Sequence, residues 1–255
     1  VVQAMGGGMS ITGTPETGPV RRGIPIGDLG GGIFGALGVL AALAERERTG
    51  RGQHVDVSML DVQVSMLNYM ATMYLMSGHV PAGIGNGHFV HVPYNCYPTS
   101  DGHIIVACIG DPFFERFAEF IGIPELHEPE LKKQPVRYAA KASIDALVTE
   151  KFRTRTTAEW VTALQHARIP CGPVNNFAQA LADPQVQARQ MVREVLLPSG
   201  KTVSMPGNPV KLSDDPGTPW TPPPGLGEHT EAVLRDMLGY DVGRIAELKT
   251  SATIG

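Results

Sequence analysis

The sequence predicts an α/β fold, because it places an apolar helix, a charged turn and an alternating strand in direct succession. Residues 33–43 are apolar all round, which is the pattern of a helix buried on every side. A charged turn over residues 45–48 follows, with Gly50 available as C-cap. Residues 54–59 then alternate between polar and apolar side chains, as a half-buried strand does.

The next segment, residues 60–77, predicts a second apolar helix. It carries methionines at roughly helical spacing, a pattern that indicates core or a subunit interface, since methionine fills irregular gaps. These methionines are Met66, Met70, Met73 and Met76. Residues 78–93 have no helical or strand period and predict a loop.

The middle of the chain predicts a hairpin followed by helices. Asp101-Gly102 is a turn signal between the apolar runs 94–98 and 103–108. Helical patterns follow over residues 113–121, 139–152 and 158–166. The last of these is preceded by Thr156 with Glu159 three residues on, a capping box.

The last third predicts short elements around a long connector. Asp183-Pro184 is a helix start, and residues 191–205 read as a second hairpin around Ser199-Gly200. Residues 206–224 contain seven prolines and predict an extended connector. The tail predicts two helices, one ending near Leu238 and one near Leu248.

Composition excludes several functional classes. The chain has 255 residues, enough for one large domain or two small ones. A net charge of -4 gives no reason to expect a nucleic-acid partner. The three cysteines lack CxxC spacing, so we expect buried thiols, and the scattered histidines predict no metal site. We predict no membrane span, because the most apolar stretches carry charges or glycine before they reach spanning length. We expect a cytoplasmic protein.

Asp28 is the leading candidate for chemistry. It lies in a glycine-rich turn directly before the apolar helix, where a helix N-terminus offers unpaired N–H groups and a positive dipole end. That environment favours the charged carboxylate, which is a poor base and a usable nucleophile. The alternative is an ordinary N-cap, a position that aspartate often fills.

A dinucleotide-binding alternative is weaker. Gly30, Gly32 and Gly35 formally match the glycine fingerprint, and Asp56 lies 21 residues beyond Gly35. The fingerprint requires a clear strand directly before the glycines, and none is predicted there.

Taken together, these pieces resemble the class III CoA-transferase family, the formyl-CoA transferase and CaiB/BaiF-like group that also contains the α-methylacyl-CoA racemases. The resemblance rests on motifs that follow the family's order along almost the whole chain. They are Gln3-Ala4, Thr12-Gly13, Pro25-Ile26-Gly27-Asp28, Ala41-Ala42-Leu43 with Arg46, Thr49-Gly50-Arg51-Gly52-Gln53, Val55-Asp56-Val57-Ser58-Met59, Gly227-Glu228-His229-Thr230, Val233-Leu234 and Leu238-Gly239-Tyr240.

The resemblance implies a Rossmann-like large domain that lacks its N-terminal part here, plus a small α+β domain. Residues 1–77 would be the carboxyl-terminal part of the large CoA-binding domain. Residues 78–205 would form the small domain, and residues 206–255 would return to the large domain. Family members form interlocked homodimers, which we expect of the full-length form.

The resemblance also implies the chemistry. Asp28 matches the family's catalytic aspartate, which attacks an acyl-CoA thioester and passes through aspartyl anhydride and aspartyl-CoA thioester intermediates. The substrates would be acyl-CoA and a small carboxylic acid, with no permanently bound cofactor.

Further site residues follow from the same resemblance. Met59 matches a position that lines the CoA site, with a core methionine as the alternative. Gly85, Asn86, Gly87 and His88 match a glycine-rich loop that closes over the intermediates, with a surface connector as the alternative. Glu228 and His229 belong to the tail signature, where capping and packing are the expected roles.

Two other functions stay open. An α-methylacyl-CoA racemase would use the matching aspartate as a proton-transferring base beside a histidine upstream of this chain. A transferase is favoured by Gly110-Asp111, because racemases tend to carry Glu-Pro at that position. The Thr12-Gly13 segment favours a transferase as well. A truncated, non-catalytic chain that serves only in binding or assembly is the remaining alternative.

Overall fold

The computed structural model of the chain describes residues 1–214 and 220–254, so residues 215–219 of the predicted connector lie outside it. The described part mixes helices with short antiparallel strands and forms two compact units, residues 1–174 and residues 175 onward. The predicted three-part division at 77/78 and 205/206 stays a prediction.

The first unit runs from α1 to β5. Its elements are α1 (Val2–Met5), β1 (Gly13–Thr14), β2 (Gly18–Pro19), α2 (Ile26–Thr49), α3 (Met59–Ser65), α4 (Tyr69–Ser77), β3 (Tyr94–Pro98), β4 (His103–Ala107), α5 (Asp111–Ile121), α6 (Gln134–Ala139), α7 (Lys141–Phe152), α8 (Thr157–His166) and β5 (Cys171–Pro173), with short 3-10 turns at Gly8–Ile11, Pro124–His127 and Pro129–Lys132.

The core of this unit is the three-stranded antiparallel sheet β3-β4-β5 with α5, α7 and α8 packed against it. Tyr97 stacks on Phe152 at 5.4 Å between ring centroids, and Trp160 meets Phe152 edge-on at 4.9 Å. The buried indole of Trp160 donates to the Phe152 carbonyl at 2.8 Å, so its polar atom is satisfied inside the core.

Local signals form these elements as predicted. The hairpin β3-β4 turns at Asp101-Gly102, and α8 begins with the capping box in which Thr156 and Glu159 satisfy each other's backbone N–H groups. Helix α5 buries residues at i, i+3, i+4 and i+7, the spacing of one helix face. They are Phe114, Phe117, Ala118 and Ile121.

A buried cation ties the helices of this unit together. Arg137 is 1% exposed and donates to Asp111 at 2.5 Å and to the carbonyls of Leu131 and Lys132 at 2.8 Å. Its guanidinium also lies 4.4 Å from the ring centroid of Phe114. Asp111 of the Gly110-Asp111 pair therefore has a structural partner in this fold.

The second unit is built from short local elements. They are α9 (Phe177–Ala182), α10 (Pro184–Ala188), β6 (Val192–Leu196), β7 (Thr202–Pro206), α11 (Thr230–Ala232) continuing into a π-helical turn (Val233–Met237), and α12 (Val242–Thr250). The predicted hairpin is confirmed, with Gly200 at φ +79 in its turn. Asp183 caps α10, whose first residue is proline, as predicted.

Three predictions about the N-terminal segment were wrong. Residues 54–59 are not a strand, because no described strand lies beside them and a strand requires a hydrogen-bonded neighbour. Residues 60–77 form two helices, broken where Asn68 takes a φ of 51. The glycines from Gly30 to Gly32 lie inside α2, which already begins at Ile26.

Helix α2 is also not buried on every side within this chain. Only Gly27 and Gly30 are buried, and a row of large apolar side chains is exposed. These exposed residues are Leu29, Ile33, Phe34, Leu37, Val39, Leu40 and Leu43. The expectation that no apolar stretch reaches spanning length was wrong, since α2 has 24 residues and a mean hydropathy of 1.7 in its most apolar window. A single such helix is weak evidence of a membrane, because core helices have the same length and composition.

Candidate active site

Asp28 occupies the first turn of α2, three residues after the cap position. The cap is Pro25, which makes no side-chain capping bond, so the simple N-cap interpretation of Asp28 does not apply. The Leu29 N–H donates to the Pro25 carbonyl at 3.0 Å, and the Ile26 N–H donates to the Ile24 carbonyl at 2.8 Å. The N–H groups of Gly27 and Asp28 have no acceptor in the described part of the chain.

The Asp28 side chain is exposed and has neither a hydrogen bond nor an ion pair with any residue among 1–214 and 220–254. A carboxylate in the first turn is favoured by the positive end of the helix dipole. The two unpaired N–H groups beside it can donate to a second, ligand-borne oxygen. The arrangement can hold an anionic oxygen next to a free carboxylate.

Glycines set how closely α2 approaches α3. A Cβ at Gly30 would lie 2.8 Å from Val62 Cγ1, and one at Gly38 would lie 2.7 Å from Val55 Cγ1. Both distances are shorter than a packed carbon contact allows, so a larger residue would separate the segments. The glycine pattern thus serves helix packing.

Met59, a predicted CoA-site residue, lies against this helix. It is the first residue of α3, and its Cγ is 3.3 Å from the position that a Cβ of Gly31 would take. Gly31 follows Asp28 by three residues, which places it on the same helix face one turn further along. The structure therefore brings Met59 within one turn of Asp28, with 44% of the Met59 surface exposed.

The predicted glycine-rich loop over residues 83–88 packs on the hairpin β1-β2. Gly85 donates its N–H to the Gly13 carbonyl at 2.7 Å and has a φ of +66. A Cβ at Gly83 would lie 2.8 Å from the same carbonyl oxygen. Glycine is required here by close backbone approach. The Asn86 side chain is exposed, and among the described residues no hydrogen bond or ion pair joins this loop to Asp28.

His88 closes the end of that loop. Its Nδ1 accepts the N–H groups of Val90 at 3.0 Å and His91 at 3.1 Å, so the proton of the neutral ring resides on Nε2. The ring stacks on His91 and Tyr94, at 4.6 and 5.0 Å between centroids. Burial and the neighbouring His91 lower the pKa of His88. The ring acts here as a neutral acceptor.

The Cys108 thiol and the residues of the tail signature have other environments. Burial raises the pKa of the Cys108 thiol to about 12, which excludes a thiolate at that position near neutral pH. Glu228 accepts the Gly225 N–H at 2.6 Å, which is a local structural contact, whereas His229 lies at the cap position of α11 and makes no side-chain capping bond. Within residues 1–214 and 220–254 no group of three metal-ligating side chains occurs.

Sequence reasoning missed Gln63 of α3. This residue is 8% exposed, and its Nε2 has no hydrogen-bond partner in the described structure. The atom lies 3.9 Å from the position that a Cβ of Gly27, the residue before Asp28, would take. The available signal was an amide inside the apolar run Val62-Gln63-Val64, a pattern that a search for acids and glycines passes over.

Comparison with known proteins gives a consistent result. The family model described as CoA-transferase family III matches residues 1–230. Succinate–glutarate CoA-transferase of Agrobacterium fabrum is 34% identical over 238 residues, which cover 93% of this chain and 60% of that protein. The human succinyl-CoA:glutarate CoA-transferase is 31% identical over 255 residues, covering 100% of this chain and 58% of that protein.

Solved structures agree with the sequence matches. The crystal structure of a CaiB/BaiF family protein from Brucella suis has a TM-score of 0.78 and 32% identity over 92% of this chain and 61% of its own. That of Rv3272 from M. tuberculosis has a TM-score of 0.77 and 25% identity over 90% of this chain and 61% of its own. The chain thus spans about three fifths of the length of the relatives it matches.

Proposed function

Because this chain belongs to CoA-transferase family III, we propose that the full-length protein moves CoA from an acyl-CoA donor to a carboxylic acid, with Asp28 as nucleophile. The observation that carries the proposal is the free, exposed Asp28 carboxylate beside two unpaired N–H groups at the start of a 24-residue helix. The relatives' names as CoA-transferases support the same reaction class.

The first half-reaction transfers the donor's CoA to the enzyme. An Asp28 oxygen attacks the thioester carbonyl carbon, the C–S bond breaks, and CoA leaves as the thiolate while a mixed anhydride forms. The thiolate then attacks the aspartyl carbonyl carbon. The anhydride C–O bond breaks, the donor acid leaves as a carboxylate, and an aspartyl-CoA thioester remains.

The second half-reaction reverses these steps with the acceptor. Its carboxylate attacks the aspartyl thioester, which releases the thiolate and forms a second anhydride. The thiolate attacks the acceptor's acyl carbon, so the new acyl-CoA leaves and Asp28 returns as a free carboxylate. Each attack develops an oxyanion, and the unpaired Gly27 and Asp28 N–H groups are the donors that we assign to its stabilisation.

The other predicted site residues take supporting roles in this proposal. Met59, beside the second turn of α2, contacts the CoA arm. The loop over residues 83–88, held on the β1-β2 hairpin, limits water access to the reactive anhydride and thioester. In this proposal the Rossmann-like large domain is completed by the part of the relatives that this chain does not cover.

The full-length form is proposed to be a homodimer. Light scattering after gel filtration measures its mass and tests this.

Mass spectrometry of the full-length protein tests the assignment. Incubation with acyl-CoA and a carboxylic acid is expected to leave a covalent adduct on Asp28 and to form the new acyl-CoA. Asp28→Asn removes the nucleophile while keeping the shape of the side chain, so we expect a folded protein without transfer. Asp61→Asn, also in a first helix turn, is the matched control with unchanged transfer.

Three outcomes would redirect the assignment. Transfer retained by Asp28→Asn would refute the nucleophile. Exchange of the α-proton without an adduct would favour the racemase. Failure of the full-length protein to bind acyl-CoA would favour the non-catalytic role.

A further inference from the structure

The segment that leads into α2 has no regular secondary structure of its own. Residues 20–25 lie between β2 and the first residue of α2, and Asp28 comes three residues after this segment ends. Backbone outside helices and strands needs hydrogen-bond partners from other parts of the chain to hold one conformation. The start of α2, and with it the position of Asp28, therefore depends on what binds this segment.

Gln3 of α1 provides two of these bonds from a single side chain. Its Oε1 accepts the Arg22 N–H at 3.1 Å, and its Nε2 donates to the Ile24 carbonyl at 3.5 Å. The two partners lie 19 and 21 residues further along the chain, so both bonds are tertiary contacts. Among residues 1–214 and 220–254, no other side chain bonds to the backbone of residues 21–25.

The Ile24 carbonyl also belongs to the turn from which α2 starts. It accepts the Ile26 N–H at 2.8 Å, across Pro25 with a φ of -77 and a ψ of 68. These angles, together with a bond between residues two apart, define an inverse γ-turn. The turn sets the direction in which α2 leaves the preceding segment. Gln3 thus binds the carbonyl that closes this turn, four residues before Asp28.

Helix α1 itself is packed against α2 and α3. Val2, which precedes Gln3, lies against the first turn of α2, because a Cβ at Gly27 would be 2.8 Å from Val2 Cγ2. A Cβ at Gly6 would lie 2.4 Å from the Cβ of Gln63 of α3. Neither distance leaves room for a side chain on the glycine. The backbone that carries Gln3 is therefore held on both helices.

We propose that Gln3 is a positioning residue of the transfer reaction, which holds the start of α2 in one geometry. The inference rests on the proposed function, since Gln3 acts through Asp28 and the unpaired N–H groups beside it. Gln3 touches no reacting atom and takes no part in bond breaking. A displacement of about 1 Å at a reacting group can slow a reaction about a hundredfold, so an ordered segment before the nucleophile determines the rate.

The rate of adduct formation in the full-length protein separates positioning from folding. Enzyme is mixed with saturating acyl-CoA and no acceptor acid, and the adduct on Asp28 is followed by mass spectrometry after rapid quenching. The rate constant reports the geometry of the reacting groups, whereas the amplitude reports the fraction of folded enzyme. Gln3→Met keeps the length of the side chain and removes both hydrogen bonds. Gln187→Met is the matched control, because this amide donates to the Leu181 carbonyl at 2.6 Å within the second unit.

We expect the rate constant of Gln3→Met to fall roughly tenfold to a hundredfold, with an amplitude within about twofold of the wild type. Gln187→Met should keep both values within about twofold, because its bond lies outside the unit that carries α2. A second readout needs no turnover. The Leu29 N–H, which donates to the Pro25 carbonyl at 3.0 Å, should exchange faster in Gln3→Met than in the control.

Gln3→Glu separates the two bonds of the side chain. It keeps an acceptor for the Arg22 N–H and loses the donor to the Ile24 carbonyl. Its rate constant should lie between those of the wild type and Gln3→Met. If Gln3→Met does not fold, Gln3→Glu decides, with an expected rate constant about threefold or more below the wild type.

An unchanged rate constant in a folded Gln3→Met would overturn the inference, as would equal losses in Gln3→Met and Gln187→Met. A lower amplitude with an unchanged rate constant would also overturn it, because Gln3 would then serve the fold only. Where Gln3→Glu decides, a wild-type rate constant has the same meaning. Absence of any adduct in the wild type would instead refute the proposed function, so the two failures are distinguishable.

Discussion

The glycine-rich loop offers a sharp test of how closely it is held to the β1-β2 hairpin. Gly83→Ala adds a methyl group 2.8 Å from the Gly13 carbonyl oxygen and 3.2 Å from its carbon. Both are backbone atoms, which cannot rotate away. The loop must therefore move, and the hydrogen bond from Gly85 to the same carbonyl at 2.7 Å must lengthen.

The magnitude follows from these two effects. Overpacking costs roughly 1–3 kcal/mol, and a weakened hydrogen bond adds about 0.5–1.5 kcal/mol. We expect the docked loop to lose about 2 kcal/mol relative to its open state, which is a factor of about 30 in the opening equilibrium.

Amide hydrogen exchange of Gly85 in the full-length protein measures this equilibrium directly. Protection should fall about 30-fold in Gly83→Ala, with the proposed transfer reaction losing acyl groups to hydrolysis in parallel. Gly87→Ala is the matched control, because its methyl group would meet the end of the flexible Lys141 side chain at 3.0 Å and the Ile84 carbonyl oxygen at 3.4 Å, an ordinary van der Waals distance. We expect less than about a threefold change there. Equal protection of Gly85 in the two variants would refute the reasoning.

The remaining predictions concern His88 and the start of α8. The pKa of His88 is lowered in the folded protein, so the unfolded loop binds more protons than the folded one. The stability that the neutral His88 provides is therefore present above about pH 6.5, the ordinary pKa of histidine. It is lost as the pH falls through the lowered pKa of the folded state. Exchange protection of the His91 amide, corrected for intrinsic rates, should decrease over that range in the wild type and stay flat in His88→Phe; the same pH dependence in both would contradict this role. Thr156→Ala removes the capping box of α8 and should cost about 1 kcal/mol, or roughly 2–4 °C in thermal melting. Thr162→Ala in the middle of the same helix is the control, and equal melting of the two variants would contradict the capping argument.

Elements fixed by neighbouring residues could be predicted from the sequence. The capping box at Thr156, the turn at Asp101-Gly102 and the helix start at Asp183 each satisfy backbone groups within a few residues, so their outcome does not depend on distant packing. The family and the candidate aspartate could also be predicted from the sequence, because the family's short motifs occur in the same order along this chain.

Elements that depend on a partner could not be predicted. Residues 54–59 have the alternation of a strand, yet pairing needs a neighbour that the described chain does not supply. The apolar composition of α2 predicted burial, while the fold covers only its glycine face.

The sequence by itself determined local structure, family membership and Asp28 as the candidate nucleophile. Only the tertiary structure decided that Asp28 is exposed in the first turn of α2 and that the unpaired amide nitrogen of Gln63 lies 3.9 Å from the position that a Cβ of Gly27 would take. The physical reason is distance along the chain. Gln63 is 36 residues after Gly27, and close packing of α3 on α2, permitted by glycines without side chains, is what brings the two together.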